Sequence, residues 1–94
     1  MKNVYVIGVF DLFHFGHVEL LRRAKELGDR LIVAINGDEM VASYKRRPFL
    51  SEQDRLEVVK ACRYVDDAFI IHGYDNKEYI KKYDIDIIVH GDDW

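Results

Sequence analysis

Val4-Tyr5-Val6-Ile7-Gly8-Val9-Phe10-Asp11-Leu12-Phe13-His14-Phe15-Gly16-His17 is the stretch on which the reading of this chain turns. Residues 4–9 are rich in branched side chains and show no polar–apolar alternation, which is the pattern of a strand buried on both faces in a parallel sheet. Beyond a loop bearing glycine and histidine, residues 17–27 set Leu20, Leu21, Ala24 and Leu27 along one stripe. Glu19, Arg22, Arg23, Lys25 and Glu26 fall on the other side, so an amphipathic helix is predicted. Gly28-Asp29 is expected to end it.

Working outward, Leu31-Ile32-Val33-Ala34-Ile35 repeats the buried-strand pattern, and residues 68–71 and 85–89 are weaker copies. Ser51, followed three residues later by Asp54, resembles a capping box and predicts a second helix. Leu56, Val59 and Cys62, with Val58 alongside, supply its buried side, and Pro48 keeps the chain before it extended. A third helix is predicted over residues 76–83, with Tyr79, Ile80 and Tyr83 facing inward. Strands separated by helices imply a parallel sheet with right-handed crossovers. The expected fold is α/β: a Rossmann-like parallel sheet with helices on both faces, a three-layer sandwich.

The 94 residues suffice for one domain, 49% of them are apolar, and neither an internal repeat nor a domain boundary is visible. Fourteen Lys and Arg against seventeen Asp and Glu give a net charge of −3, which argues against a nucleic-acid surface. No apolar run reaches the ~20 residues of a membrane span. Cys62, the single cysteine, fits a reducing cytoplasm. The expectation is therefore a cytoplasmic protein with neither a nucleic-acid partner nor a membrane span.

Ligands of open parallel sheets collect beyond the carboxyl ends of the strands, which selects residues 8–17, 36–47 and 90–94. Gly8 would allow close approach to the backbone and Gly16 a tight entry into a helix whose unpaired N–H groups favour phosphate. His14 and His17 straddle that entry and can donate hydrogen bonds to phosphate oxygens. Neither G-x-G-x-x-G nor G-x-x-x-x-G-K-[ST] is present. Two plainer readings stand beside this one: ordinary part-exposed histidines, or a zinc site made by Asp11, His14 and His17. His72 and His90 carry no assigned task, although His90 lies at the ligand end of the last strand.

Phe10-Asp11-x-x-His14-x-Gly16-His17 between a buried strand and an amphipathic helix resembles the H-x-G-H signature of the nucleotidylyltransferase superfamily. Arg63-Tyr64-Val65-Asp66-Asp67 is similar to the R-Y-V-D-E element of its cytidylyltransferases. Gly91-Asp92-Asp93-Trp94 is similar to the G-D-D-W of members acting on glycerol 3-phosphate. The resemblance runs over residues 1–94 with almost no insertions.

It implies a cytidylyltransferase that joins CTP, carrying Mg²⁺ on its triphosphate, to a small alcohol phosphate and releases pyrophosphate. Glycerol 3-phosphate is the first expectation, and choline or ethanolamine phosphate is next, since Tyr44-Lys45 and Val9 lean that way. By the same resemblance His14, His17 and Lys45 are catalytic, while Gly8, Val9, Phe10, Asp11, Gly16, Arg63 and Asp93 bind nucleotide. Lys45, Arg46 and Arg63 would hold the acceptor's phosphate, and Tyr74 and Trp94 would cover a ligand or simply pack. Outside the family context, Lys45-Arg46-Arg47 reads as a solvated basic turn and Arg63 as the ion-pair partner of Asp66 or Asp67 near a dimer contact. A homodimer is expected.

Two departures from the family pattern bear on this. Val9 stands where the glycerol-3-phosphate enzymes carry Thr, so any hydroxyl contact there is lost. The family's fifth strand and R-T-x-G-I-S-T-T segment do not appear in these 94 residues. The alternatives are thus an adenylyltransferase acting on FMN or a sugar phosphate, or a non-catalytic nucleotide-binding or dimerisation module.

Overall fold

The structure is a computed structural model and describes residues 1–90. Its elements run β1 (Asn3–Gly8), α1 (Phe15–Glu26), β2 (Arg30–Asn36), α2 (Asp38–Ala42), α3 (Glu52–Lys60), β3 (Asp67–Ile71), α4 (Lys77–Lys82) and β4 (Ile85–His90). The four strands form one parallel sheet in the order β3-β2-β1-β4, with Val4 level with Leu31 and Val6 level with Val33. This is the expected Rossmann-like α/β sandwich.

The two central strands bury because their side chains are apolar on both faces. Val4, Tyr5, Val6 and Leu31 to Ile35 have no exposed surface. Val4, Val6, Leu31 and Val33 pack with Leu21 and Ala24 of α1 and Val59 of α3. Tyr5, Ile32 and Ala34 pack with Met40 of α2 and with Tyr79 and Tyr83 around α4. The split follows from handedness: β1→β2→β3 moves toward one edge and β3→β4 returns past β1, so right-handed crossovers place α4 opposite α1 and α3. Among the described residues, no helix is long and apolar enough to cross a membrane.

Several local expectations are corrected. β4 is an edge strand with alternating burial, and Ile88 is 46% exposed, so it lacks the two-sided burial of the central pair. Leu27 and Val58 are also largely exposed and take no part in the buried stripes. Gly28 does not adopt a left-handed conformation; α1 is capped by Leu27 at φ −75°. What Gly28 provides is room, since a Cβ there would lie 2.7 Å from the Lys2 carbonyl oxygen and 2.8 Å from Val4 Cγ2. The left-handed turn residue before β4 is Asp84, and the Asn3 side chain ties that turn down by donating to the carbonyls of Tyr83 and Asp84. The short helix α2 was not expected, because only Met40 and Val41 signal it.

Leu31→Ala should lower unfolding free energy by about 2–5 kcal/mol in urea denaturation, as a void in a closed core does. Ile88→Ala should stay within about 1 kcal/mol, because its side chain is already half in water.

Candidate active site

The strand order reverses at β1, whose carboxyl end lies between those of β2 and β4. The chain leaving β1 is strained there: Phe10 and Leu12 sit in the left-handed region at φ 55° and 49°. Each such residue costs about 1–3 kcal/mol and persists only if its surroundings impose it. Phe10 is held by burial, with its ring 5.5 Å from that of His17 and 6.5 Å from that of Phe13.

His14 is the N-cap of α1. Its Nδ1 accepts the Gly16 backbone N–H at 3.0 Å, while His17 Nδ1 accepts the His14 backbone N–H at 3.1 Å. The pair therefore forms a capping box in which imidazoles replace the usual hydroxyl and carboxylate. An Nδ1 that accepts a backbone N–H bears no proton in the neutral ring, so each ring is held as the tautomer with hydrogen on Nε2. The ring centres are 4.1 Å apart, and Phe13 stacks on His17 at 5.4 Å. Gly16 is needed because the His14 ring lies over it: a Cβ would meet His14 Cε1 at 2.7 Å. The first turn of α1 holds no acidic residue, so the positive end of the helix dipole is unopposed.

These rings line a cavity of about 290 Å³. Val9, Phe10 and Asp11 line it too, and Lys45, Arg46 and Arg47 join them from the segment after α2. Asp11 fastens the two sides together, since its carboxylate accepts the backbone N–H groups of Phe49 at 2.8 Å and Leu50 at 2.9 Å. Arg46 lies over the Phe49 ring at 5.0 Å, and Arg47 pairs with Glu39 at 2.8 Å. Two imidazoles from the start of a helix and three cationic side chains line one space, an arrangement suited to a polyanion such as a chain of phosphates.

Not every expected residue is there. Gly8 ends β1, Gly16 lies beneath His14, and neither lines the cavity. Arg63 precedes β3, at the amino end of the sheet, where it stacks on Tyr64 at 5.1 Å and donates to its hydroxyl. Among the described residues it forms no ion pair with Asp66 or Asp67; Asp66 binds Lys25 and the Leu31 backbone N–H. Asp93 and Trp94 lie outside the described residues. The zinc alternative is not supported: among the described residues no three His, Cys, Asp or Glu converge, and Asp11 spends both oxygens on amides. His72 is exposed, whereas His90 and Tyr74 line a second cavity.

The residue that sequence reasoning missed is Arg55. Wholly buried, it donates to the carbonyls of Val9 and Asn36 at 2.8 Å, to Leu50 at 3.1 Å and to Asp38 Oδ1 at 2.7 Å. It thereby joins the loop after β1, the end of β2, the start of α2 and the segment that Asp11 holds. Asp38 and Glu52 exchange further bonds, each carboxylate accepting the other's backbone N–H. A signal did exist: Arg55 stands four residues before Val59 on the inward stripe of α3, where a charge demands a partner. Burial pushes the Asp38 carboxyl upward, but the bonds from Arg55 and the Glu52 backbone outweigh it and hold the group below the usual carboxylate range.

The unfolded chain therefore takes up this proton first, at about pH 3.9. Above that pH the Asp38 contribution is complete, and it is lost as pH falls through the lowered folded value. Asp38→Asn should cost about 1.5–3 kcal/mol at neutral pH. Urea unfolding across pH should show this gap narrowing below about pH 4.

Comparison with known proteins agrees with this geometry. Residues 5–94 match the family model described as cytidylyltransferase-like. The chain is 41% identical over 95 residues to a glycerol-3-phosphate cytidylyltransferase of Staphylococcus aureus, covering all of this chain and 72% of that protein. It is 49% identical over 93 residues to an FAD synthase of Pyrococcus abyssi, covering 97% and 63% of the two. Against an ethanolamine-phosphate cytidylyltransferase of Dictyostelium discoideum it is 44% identical over 92 residues, covering 97% of this chain but spanning only 26% of that protein's length. In structure it is similar to a lipopolysaccharide core biosynthesis protein from Thermoplasma volcanium, with a TM-score of 0.76, 27% identity and coverage of 100% and 98%. With a buried parallel sheet, a paired-histidine helix cap and a family match over almost its whole length, this chain belongs to the cytidylyltransferase-like family of nucleotidyltransferases.

Proposed function

We propose that this chain is the catalytic core of a cytidylyltransferase that transfers CMP from CTP to a small alcohol phosphate in the cytoplasm, working as a homodimer. The observation that carries this reading is the pair of Nε2–H imidazoles capping α1 opposite Lys45, Arg46 and Arg47 across one cavity. An oxygen of the acceptor's phosphate attacks the α-phosphorus of CTP, a P–O bond forms, and the bond to the β-phosphate bridging oxygen breaks to release pyrophosphate. The protein's task is to align two anions and offset charge on the departing group. His14 and His17 donate to phosphate oxygens, the N-terminus of α1 adds its dipole, and Lys45 with Arg46 draws in the acceptor's phosphate.

The one carboxylate in the described lining, Asp11, is committed to backbone amides, so Mg²⁺ would enter as the companion of the triphosphate and not on a ligand of this chain. Bound there, it would offset phosphate charge. Glycerol 3-phosphate is the first acceptor proposed, supported by similarity to a glycerol-3-phosphate enzyme across most of that protein. The 49% identity to an FAD synthase supports a second reading, adenylyl transfer from ATP to FMN.

Incubated with CTP, Mg²⁺ and glycerol 3-phosphate, the protein should release pyrophosphate. His14→Ala should lower kcat/KM by about 10²-fold or more. Unchanged turnover in that variant would remove the role given to His14, and preference for ATP would establish the adenylyl reading instead.

A further inference from the structure

A second cavity, of about 350 Å³, also opens at the carboxyl end of the sheet. Ile7 of β1, Asn36 of β2, His90 of β4, Met40, Asn76 and the rings of Tyr44 and Tyr74 line it. The segment through α2 divides it from the phosphate-binding cavity: Val41 and Lys45 line the first, while Met40 and Tyr44 line the second. Unlike the first, this cavity has neither a Lys or Arg nor a carboxylate in its lining among the described residues. The titratable side chains among its described lining residues are His90 and the two tyrosines.

Asn36 supplies its polarity. The residue is only 6% exposed, its backbone carbonyl is fixed by Arg55, and its side-chain Nδ2 donates to the Tyr44 hydroxyl at 3.2 Å. Its Oδ1 is buried with no hydrogen-bond partner among the described residues. A buried amide oxygen left this way carries a desolvation penalty that a ligand bringing a donor would relieve. Tyr44 and Tyr74 form part of the wall, their rings 6.3 Å apart, and the Tyr74 hydroxyl shares a hydrogen bond with Ser43 Oγ at 2.7 Å.

We propose that Asn36 is a specificity residue for the acceptor, its Oδ1 accepting a hydrogen bond from a hydroxyl on the carbon chain of a neutral polyol phosphate. This rests on the transferase reading above. In this assignment the acceptor's phosphate sits at Lys45 and its organic end reaches past the α2 segment to the Tyr44 side, where Asn36 lies. A trimethylammonium end offers no donor to Oδ1. A primary ammonium offers one but meets no carboxylate among the described lining residues.

The test is steady-state kinetics of the full chain at saturating CTP with glycerol 3-phosphate, ethanolamine phosphate and choline phosphate. Glycerol 3-phosphate should be preferred. Asn36→Leu should raise its KM roughly tenfold or more while leaving the KM for CTP unchanged. Asn36→Asp, which keeps the acceptor oxygen and the shape, should move preference toward ethanolamine phosphate, a change that mere loosening of the fold would not produce. A raised KM for CTP, or the same acceptor ranking in parent and Asn36→Asp, overturns this assignment while the transferase reading stands. Transfer to none of the three, or only from ATP to FMN, overturns both.

Discussion

Arg55 places a guanidinium where no water reaches it, among the Val9, Asn36 and Leu50 carbonyls and the Asp38 carboxylate. Those groups come from four segments that no helix or strand joins directly. Taken alone, a buried charge of this kind is poor evidence for stability, since desolvation consumes most of the Coulomb gain. What it secures is arrangement. The loop holding Phe10 and Leu12 in the left-handed region, the junction of β2 with α2, and the segment before α3 are joined at one centre, and Asp11 adds a second tie between the first and the last of these. A cavity whose walls come from separate loops keeps its shape because of these bonds.

Within that frame the two histidines perform structural and chemical work with opposite edges of the same rings. Their Nδ1 atoms complete the cap of α1, which fixes tautomer and orientation. In the proposed reaction the Nε2–H edge is the oriented donor, needing no rearrangement when a polyanion arrives, the condition under which electrostatic stabilisation is most effective. Gly16 belongs to the same device, because only an absent side chain leaves room for the His14 ring.

Most of the architecture was legible in the chain. Unbroken branched runs at residues 4–9 and 31–35 could be satisfied only by a strand covered on both sides, and the leucine stripe before Gly28 only by a helix against it. Helix α2 was not legible, because five residues with two apolar side chains give too little period. Nor was the strain at Phe10 and Leu12, where no glycine marks the left-handed turns. Val9, Phe10, Asp11, His14, His17 and the cations after β2 line one cavity, a placement legible because both segments follow carboxyl ends of strands. Arg63 was grouped with them by motif, although its place just before β3 in a parallel sheet already puts it at the opposite, amino end. Arg55 was passed over because a charged residue on a helix is usually solvated, and only three-dimensional packing reveals the four acceptors around it.

The claim that both imidazoles are held with Nδ1 turned into the helix cap is open to direct observation. Long-range ¹H–¹⁵N spectra of the histidine rings at neutral pH distinguish the two neutral tautomers. The account predicts that His14 and His17 both carry their proton on Nε2, and that adding CTP shifts those two rings before His72. A proton on Nδ1 of either ring would contradict it, because the capping geometry and the presented donor would then both be absent.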